Sequence, residues 1–325
     1  MLIRKLLKVC PAAILAVMTS TAQASEWPQR PVTIVVPFAP GGSTDVVART
    51  MAQELSKKFD MQFIVENKPG GSTTIASSYV SRAKPDGYTL YIGTMGMHGM
   101  DKILYPSITY DGIDGFTHIT RWVSFPMIVV ANPNKGLNNF KDLIKKAKEN
   151  PDQVTHASAG VGSSNHLAAV LFMKESGIKL MNIPYKGGNP ATVAALSGEV
   201  DISFATPPSV IAHVKAGRLK ALGLSSSGKS TLFPSIPSAT ESGLPSYNFK
   251  VWHGFYGPAG IPVDITDKLF NASKEILAEE HVKKTFADLG MDVDPSASVA
   301  EFNDFVRGVA ATTVELGAAV QADGG

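Results

Sequence analysis

Short β-branched runs alternate with stretches of helical period along most of the chain. Val32-Thr33-Ile34-Val35-Val36 is apolar at nearly every position, which predicts a strand buried on both faces. Val47, Met51 and Leu55 then recur every four residues and predict a helix from Val46 to Phe59. Phe63-Ile64-Val65 predicts a second strand and Ile75 to Ala83 a second helix. Pro85-Asp86-Gly87 is a turn signal ahead of a strand from Tyr88 to Ile92. Five more strands are predicted at Met127 to Ala131, Val154 to Ala157, Leu180 to Ile183, Val200 to Phe204 and Leu219 to Leu224, and Trp252-His253-Gly254 opens a late one.

The helices carry their own punctuation. Asn139 stands before Phe140, Leu143, Ile144 and Ala147, a run from His166 ends at Gly177, and a helix entered through Asn189-Pro190 ends at Gly198. Ser298 and Glu301 make a capping box ahead of Phe302, Phe305, Val306 and Val309. Strands and helices in alternation predict an α/β protein with parallel sheets covered on both faces. Two sheets are expected rather than one of nine or more strands. The chain is expected to cross between them near residues 125 and 250. Residues 25–125 with 250–325 then form one discontinuous lobe, and residues 126–249 the other.

The N-terminus changes the picture. Arg4, Lys5 and Lys8 precede an apolar stretch from Val9 to Met18, and Ala22-Gln23-Ala24 follows it, the pattern of an export signal cleaved after Ala24. That stretch is too short to span a bilayer. Cys10 lies at the start of the apolar stretch rather than after it, with no small residue just before it, so a lipid anchor is not expected. Cleavage removes the single cysteine and three cations, taking the formal net charge from +2 to −1. Disulfide, thiol and thiolate-metal chemistry are thereby excluded from the mature chain, and nothing in its charge suggests nucleic acid. The expected compartment is the periplasm.

Candidate chemistry sits in loops that leave a strand and open a helix. Pro37-Phe38-Ala39-Pro40-Gly41-Gly42-Ser43-Thr44-Asp45 is the first. Glycine lets backbone approach a ligand, and the free N–H groups of a first helical turn attract anions. The alternative is a tight turn capped by Ser43 or Thr44. No Gly-Lys-Ser/Thr follows and the glycines do not fit G-x-G-x-x-G, so neither a nucleotide nor a dinucleotide is expected. Asp45 in the first turn suits the helix dipole. Ser158-Ala159-Gly160-Val161-Gly162-Ser163-Ser164-Asn165-His166 is a second loop of the same kind. Ser164 and His166 do not make a nucleophile elbow. Pro184-Tyr185-Lys186-Gly187-Gly188-Asn189-Pro190 is the third.

Thr94 and Thr206 end strands and are expected to point into a cleft at the carboxyl edges of the sheets. Met95-Gly96-Met97-His98-Gly99-Met100 follows Thr94. Its methionines and His98 are candidates for the pocket wall, with core packing an equal account of the methionines. The seven histidines lack H-x-x-x-H spacing, so no metal site is expected.

These segments together resemble the substrate-binding proteins of tripartite tricarboxylate transporters, the TctC or Bug family. The resemblance runs through Trp27-Pro28-x-Arg30-Pro31, Pro37-Phe38-x-x-Gly41-Gly42-x-x-Asp45, Val65-Glu66-Asn67-Lys68-Pro69-Gly70, Pro85-Asp86-Gly87-Tyr88-Thr89-Leu90, Pro184-Tyr185-Lys186-Gly187 and Gly257-Pro258-Ala259-Gly260-Ile261-Pro262. It implies a type II periplasmic-binding-protein fold, with two Rossmann-like lobes and a ligand cleft between them. It implies a monomer without cofactor, serving one large and one small integral membrane subunit. It also implies that a ligand carboxylate lies on the loops matching Phe38 to Asp45 and Ser158 to Ser164, partly through ordered water.

The expected ligand is therefore a small carboxylate. Met95 to Met100 and Arg121-Trp122-x-x-Phe125 favour a dicarboxylate, an aromatic one such as terephthalate included. The expected binding residues are Phe38, Gly41, Gly42, Ser43, Thr44, Asp45, Thr94, His98, Ser158, Gly160, Gly162, Ser163, Ser164, His166, Tyr185 and Thr206. No catalytic acid, base or nucleophile constellation is apparent. A sensory binding protein and, after it, a periplasmic enzyme are the rival expectations.

Overall fold

The computed structural model describes residues 27–322, so the export signal read in residues 1–24 lies outside the described residues. The chain begins with β1 (Val32–Val36), α1 (Ser43–Phe59), β2 (Phe63–Asn67), α2 (Thr74–Ser81), β3 (Thr89–Thr94), α3 (Met100–Leu104) and β4 (Phe116–Pro126). It crosses at Met127 into β5 (Ile128–Ala131), α4 (Phe140–Glu149), β6 (Thr155–Ser158), α5 (Ser164–Ser176) and β7 (Met181–Pro184). α6 (Gly188–Ser197), β8 (Ile202–Ala205), α7 (Pro207–Lys215) and β9 (Lys220–Leu224) complete that half. It returns through β10 (Lys250–Pro258), α8 (Val263–Ala278), α9 (Glu280–Asp288), β11 (Asp292–Val293) and α10 (Val299–Ala322).

Two sheets result. One has the order β11-β4-β10-β3-β1-β2 and the other β7-β6-β8-β5-β9. The expectation of purely parallel sheets is corrected. β1 pairs β2 and β3 in parallel, as β6 pairs β7 and β8, but β10 runs antiparallel to β3 and β4, and β5 antiparallel to β8 and β9. The reason is topological. β5 and β10 are the strands by which the chain enters one sheet from the other, so each arrives against the local direction.

Local chemistry accounts for the helix ends. Asn139 caps α4 by accepting the Asp142 N–H at 3.0 Å. Ser298 accepts the Glu301 N–H at 3.0 Å, while Glu301 reaches back to the Ala297 N–H at 3.2 Å. Gly177 and Gly198 end α5 and α6 in the left-handed conformation that a side chain would strain. One apolar cluster runs through both halves. It joins Val47, Met51 and Leu55 of α1 to the strand residues Ile34 and Val36, and continues to Phe140, Phe172 and Phe204.

The crossings themselves are tied by one hydroxyl. Ser225 accepts the Met127 N–H at 2.8 Å and donates to the Phe249 carbonyl at 2.5 Å. Both strand connections between the lobes therefore meet at a single buried side chain. Among the described residues no helix is long and apolar enough to cross a membrane.

Candidate functional site: a cleft of helix N-termini

The carboxyl ends of the parallel strands face a cavity between the two sheets. Phe38, Gly42, Ser43, Thr44, Thr94, Val251 and His253 line it from one half, and Ala159, Ser164, Asn165, Gly188 and Thr206 from the other. Four helices begin there: α1 at Ser43, α5 at Ser164, α6 at Gly188 and α7 just after Thr206. Each helix carries partial positive charge at that end, and α1, α5 and α6 leave first-turn N–H groups without a carbonyl four residues back. α7 opens on Pro207-Pro208, which have no N–H, and so contributes its dipole alone. No Lys, Arg, Asp or Glu stands in the lining. Its polar groups are hydroxyls, one amide and one imidazole, and all of them are buried. Such a cavity attracts an anion through oriented dipoles and donors rather than through an opposing side-chain charge.

Ser43 belongs to α1 itself, which starts three residues earlier than the sequence predicts. The cap position is Gly42, with no side-chain cap. Neither Ser43 nor Thr44 therefore caps the turn. Asp45 is a brace. Its carboxylate accepts the Gly41 N–H at 3.0 Å, Arg49 Nε at 3.0 Å and Asn67 Nδ2 at 2.9 Å, and Asn67 Nδ2 also reaches the Phe38 carbonyl. Burial pushes the Asp45 carboxyl up, but these donors outweigh it and hold the group below the usual carboxylate range. In this structure Asp45 and Gly41 support the loop rather than line the cavity, and the Gly41 N–H is consumed by Asp45.

The loop after β6 divides in the same way. Ser164 and Asn165 reach the cavity, and Asn165 is steadied by a 2.6 Å bond from its Nδ2 to the Phe204 carbonyl. Ser158, Gly160, Gly162, Ser163 and His166 shape the turn behind them. Ser163 caps α5 through the His166 N–H, and His166 Nδ1 accepts the Gly162 N–H at 3.2 Å. Tyr185 turns away and donates its hydroxyl to Glu199 at 2.7 Å. His98 is buried in the first lobe, stacked on Trp252 at 5.3 Å and flanked by Tyr256 at 5.5 Å. A tight turn after Thr94 rotates Met95, Met97 and Met100 into the core. Trp122 stacks on Phe255 at 4.2 Å, and Arg121 pairs with Asp294. The sulfur and aromatic residues that favoured an aromatic ligand are not among the lining residues.

The sequence reading missed Ala159, Asn165, Gly188, Val251 and His253. Of these His253 matters most. Its Nε2 lies 2.8 Å from Ser43 Oγ and its Nδ1 3.0 Å from the Trp252 carbonyl, so a Ser/His pair exists where none was expected. Burial lowers the His253 pKa to about 4.

The two halves touch around the cavity. Ala39 donates its N–H to the Lys186 carbonyl at 3.1 Å, and a Cβ on Gly187 would lie 3.2 Å from that nitrogen. The empty space in the cleft is about 350 Å³, part of it open to solvent. Among the described residues, Glu54, Glu279 and His281 cluster closely enough to suggest a metal, but Glu54 already pairs with Lys57 at 2.8 Å.

Comparison with known proteins places these features in company. Residues 47–318 match the family model described as the tripartite tricarboxylate transporter family receptor. BugT of Bordetella pertussis is 31% identical over 315 residues, covering 95% of this chain and 95% of that protein. The structure of Rpa4515 from R. palustris with adipate superposes with a TM-score of 0.87 at 28% identity, covering 91% of this chain and 99% of the other. MatC from Rhodopseudomonas palustris with bound malate gives 0.84 at 28% identity, covering 90% and 100%. The two-lobed architecture is that of periplasmic binding proteins.

Proposed function

We propose one task for this chain, which belongs to the tripartite tricarboxylate transporter receptor family and is a solute-binding protein: capture of a small aliphatic dicarboxylate in the periplasm. The lobes close on the ligand with one carboxylate among the N-termini of α1, α5, α6 and α7, and the closed form is handed to the transporter's membrane subunits. The observation that carries this reading is the convergence of four helix N-termini and a ring of hydroxyls on one cavity that has no charged side chain in its wall. Rpa4515 with adipate and MatC with bound malate supply the ligand class. An aromatic diacid has less to rest on, since Phe38 is the only aromatic hydrocarbon ring in the lining.

Entry of the ligand requires the Ala39–Lys186 contact between the lobes to part, and closure over the ligand re-forms it. Hydrogen bonds to a charged carboxylate contribute about 1.5–3 kcal/mol each. Three or four of them, less the cost of binding, suit a micromolar dissociation constant, about −8 kcal/mol.

The Ser43–His253 pair does not favour an enzyme. An imidazole driven to about 4 is a weak base for a serine, and its Nδ1 meets a backbone carbonyl rather than a carboxylate. The test is a thermal-shift screen of the mature protein, refolded free of ligand, against malate, succinate, adipate, citrate and terephthalate. Ligand at 100 times its dissociation constant adds about 2.7 kcal/mol, a shift of several degrees for an aliphatic diacid. Silence across all five overturns the carboxylate assignment. Deletion of the gene should then abolish uptake of the responding acid; unchanged uptake with lost induction of transport genes points to sensing instead.

A further inference from the structure

We propose that His253 acts as a proton-linked positioning residue for ligand binding, converting Ser43 from an acceptor into a donor when a carboxylate enters the cleft. The inference deepens the carboxylate reading above and rests on it.

The hydrogen-bond chain dictates the logic. The Trp252 carbonyl can only accept, so the Nδ1 atom 3.0 Å from it carries the proton. A neutral imidazole protonated at Nδ1 has a bare lone pair at Nε2. The Ser43 hydroxyl, 2.8 Å away, must then give its hydrogen to Nε2. Ser43 lines the cavity with its one hydrogen turned away, offering only lone pairs. A carboxylate oxygen set against those lone pairs is repelled. Among the N–H groups and hydroxyls around it, neutral Ser43 is the wrong polarity for the proposed ligand.

One proton reverses this. With both ring nitrogens protonated, Nε2 donates to Ser43 Oγ and the serine hydrogen is free for the ligand oxygen. The imidazolium also supplies the positive charge that no side chain in the lining provides. Nothing else in the immediate surroundings competes for that role. β3 presents Thr94 opposite His253, β4 presents Val123 and the Phe125 ring, edge-on at 5.2 Å, and α1 presents Ser43. None of these titrates, and the nearby acid of α1, Asp45, is already held by Arg49, Asn67 and the Gly41 N–H. Without a ligand, burial keeps the ring neutral, its pKa lowered to about 4. An anion in contact with Ser43 favours the charged ring, and a rise from about 4 to above 6 corresponds to a preference of more than 100-fold for the protonated form in the complex.

The sequence hid this because His253 and Ser43 are 210 residues apart and meet only when β10 returns beside β3.

The experiment is isothermal titration of the mature protein with malate at pH 6.5 in buffers of different ionisation enthalpy. At pH 6.5 and above malate is almost wholly the dianion, although the charge of its first carboxylate raises the pKa of the second, so its own titration contributes little. The expected result is uptake of about a quarter of a proton or more per ligand, and an association constant at least about twofold lower at pH 8 than at pH 6. Nitrogen-15 spectra of histidine-labelled protein should show one ring changing from the Nδ1–H form to the doubly protonated form on binding. His253→Gln, which can donate to Ser43 but cannot take up a proton, should bind malate without proton uptake and with an affinity that no longer changes between pH 6 and pH 8. Malate binding by the wild-type protein without proton uptake, at a pH-independent affinity, overturns the proposal while leaving the carboxylate reading intact. If malate fails to bind, the same titration with succinate and adipate decides, and failure of all three overturns both. Because the wild-type titration stands alone, a misfolded variant does not weaken it.

Discussion

Removing the Asp45 carboxylate should loosen the first ligand loop at a cost that is computable from its partners. Asp45→Ala deletes the acceptor of the Gly41 N–H, of Arg49 and of one Asn67 amide hydrogen. A buried donor left unsatisfied costs about 1–3 kcal/mol, and the Gly41 N–H is the clearest case. Asn67 keeps its bond to the Phe38 carbonyl, so its loss is partial. Arg49 is 52% exposed, which screens the ion pair to about 0–1 kcal/mol. The expected destabilisation is about 2–4 kcal/mol, a Tm lower by roughly 3–6 °C in a chain of this size. Carboxylate affinity should fall with it, because Gly42 and Ser43 sit on the loosened loop.

The pH dependence has a definite sign. The folded pKa of Asp45 is depressed, so its contribution is full above the unfolded value of about 3.9 and is lost as pH falls through the folded value. The Tm gap between wild type and Asp45→Ala should therefore be constant from pH 6 to 8 and narrow below about pH 4. Calorimetry at pH 7 and pH 3.5, with Arg49→Ala beside it, provides the check. If Arg49→Ala is as damaging as Asp45→Ala at pH 7, the effect lies in the surface ion pair and the buried-donor account is wrong.

Three other outcomes are expected. Gly187→Ala puts a Cβ 3.2 Å from the Ala39 nitrogen at a φ of +147°, so closure should be hindered and carboxylate affinity reduced about tenfold, for a strain of about 1–2 kcal/mol; an unchanged affinity in equilibrium titration refutes the closing contact. Asp101 is buried beneath the hydroxyls of Tyr110 and Thr73, and burial pushes its carboxyl up to about 6. Because the folded pKa exceeds the unfolded one, ionisation erodes stability as pH rises from about 4 to about 6, by about 3 kcal/mol at 1.36 kcal/mol per unit; Asp101→Asn should gain several degrees in Tm at pH 7.5 and nothing at pH 4, and an equal change at both values counts against it. Gly223→Ala drives a Cβ to 2.8 Å from the Phe140 ring, an overpacking of about 1–3 kcal/mol, which Phe140→Leu in the same chain should relieve when both are melted side by side.

Much of the architecture was legible because it is written in local periodicity. The apolar run of β1, the four-residue spacing of α1 and the caps Asn139, Gly177 and Gly198 all act within a few residues of themselves. β4 was not foreseen. Its Thr117, His118, Thr120 and Arg121 look like loop residues, yet they pair with β10 strands away in sequence, and His118 binds Asn303 at 2.8 Å while Arg121 binds Asp294. The ligand loops were legible as strand–glycine–hydroxyl–helix segments, but their division into lining and support was not. Whether Gly41 faces a ligand or Asp45 depends on a side chain four residues on. Met95 to Met100 are candidates for the pocket wall only by adjacency to Thr94, with core packing an equal account of the methionines, and one turn of tight helix carries the methionines into the core. His253 and Val251 had no signal, since a strand from the far end of the chain brings them to the cleft.

The central claim is that helix N-termini and hydroxyls, without a side-chain cation from Lys or Arg, hold the ligand. A crystal structure of the complex with malate or adipate tests it most directly. The account predicts one carboxylate with its oxygens about 2.7–3.2 Å from backbone N–H groups at the starts of α1 and α5 and from the hydroxyls of Ser43, Ser164 or Thr206. A ligand carboxylate paired instead with a lysine or arginine side chain, or bound outside this cleft, would contradict it.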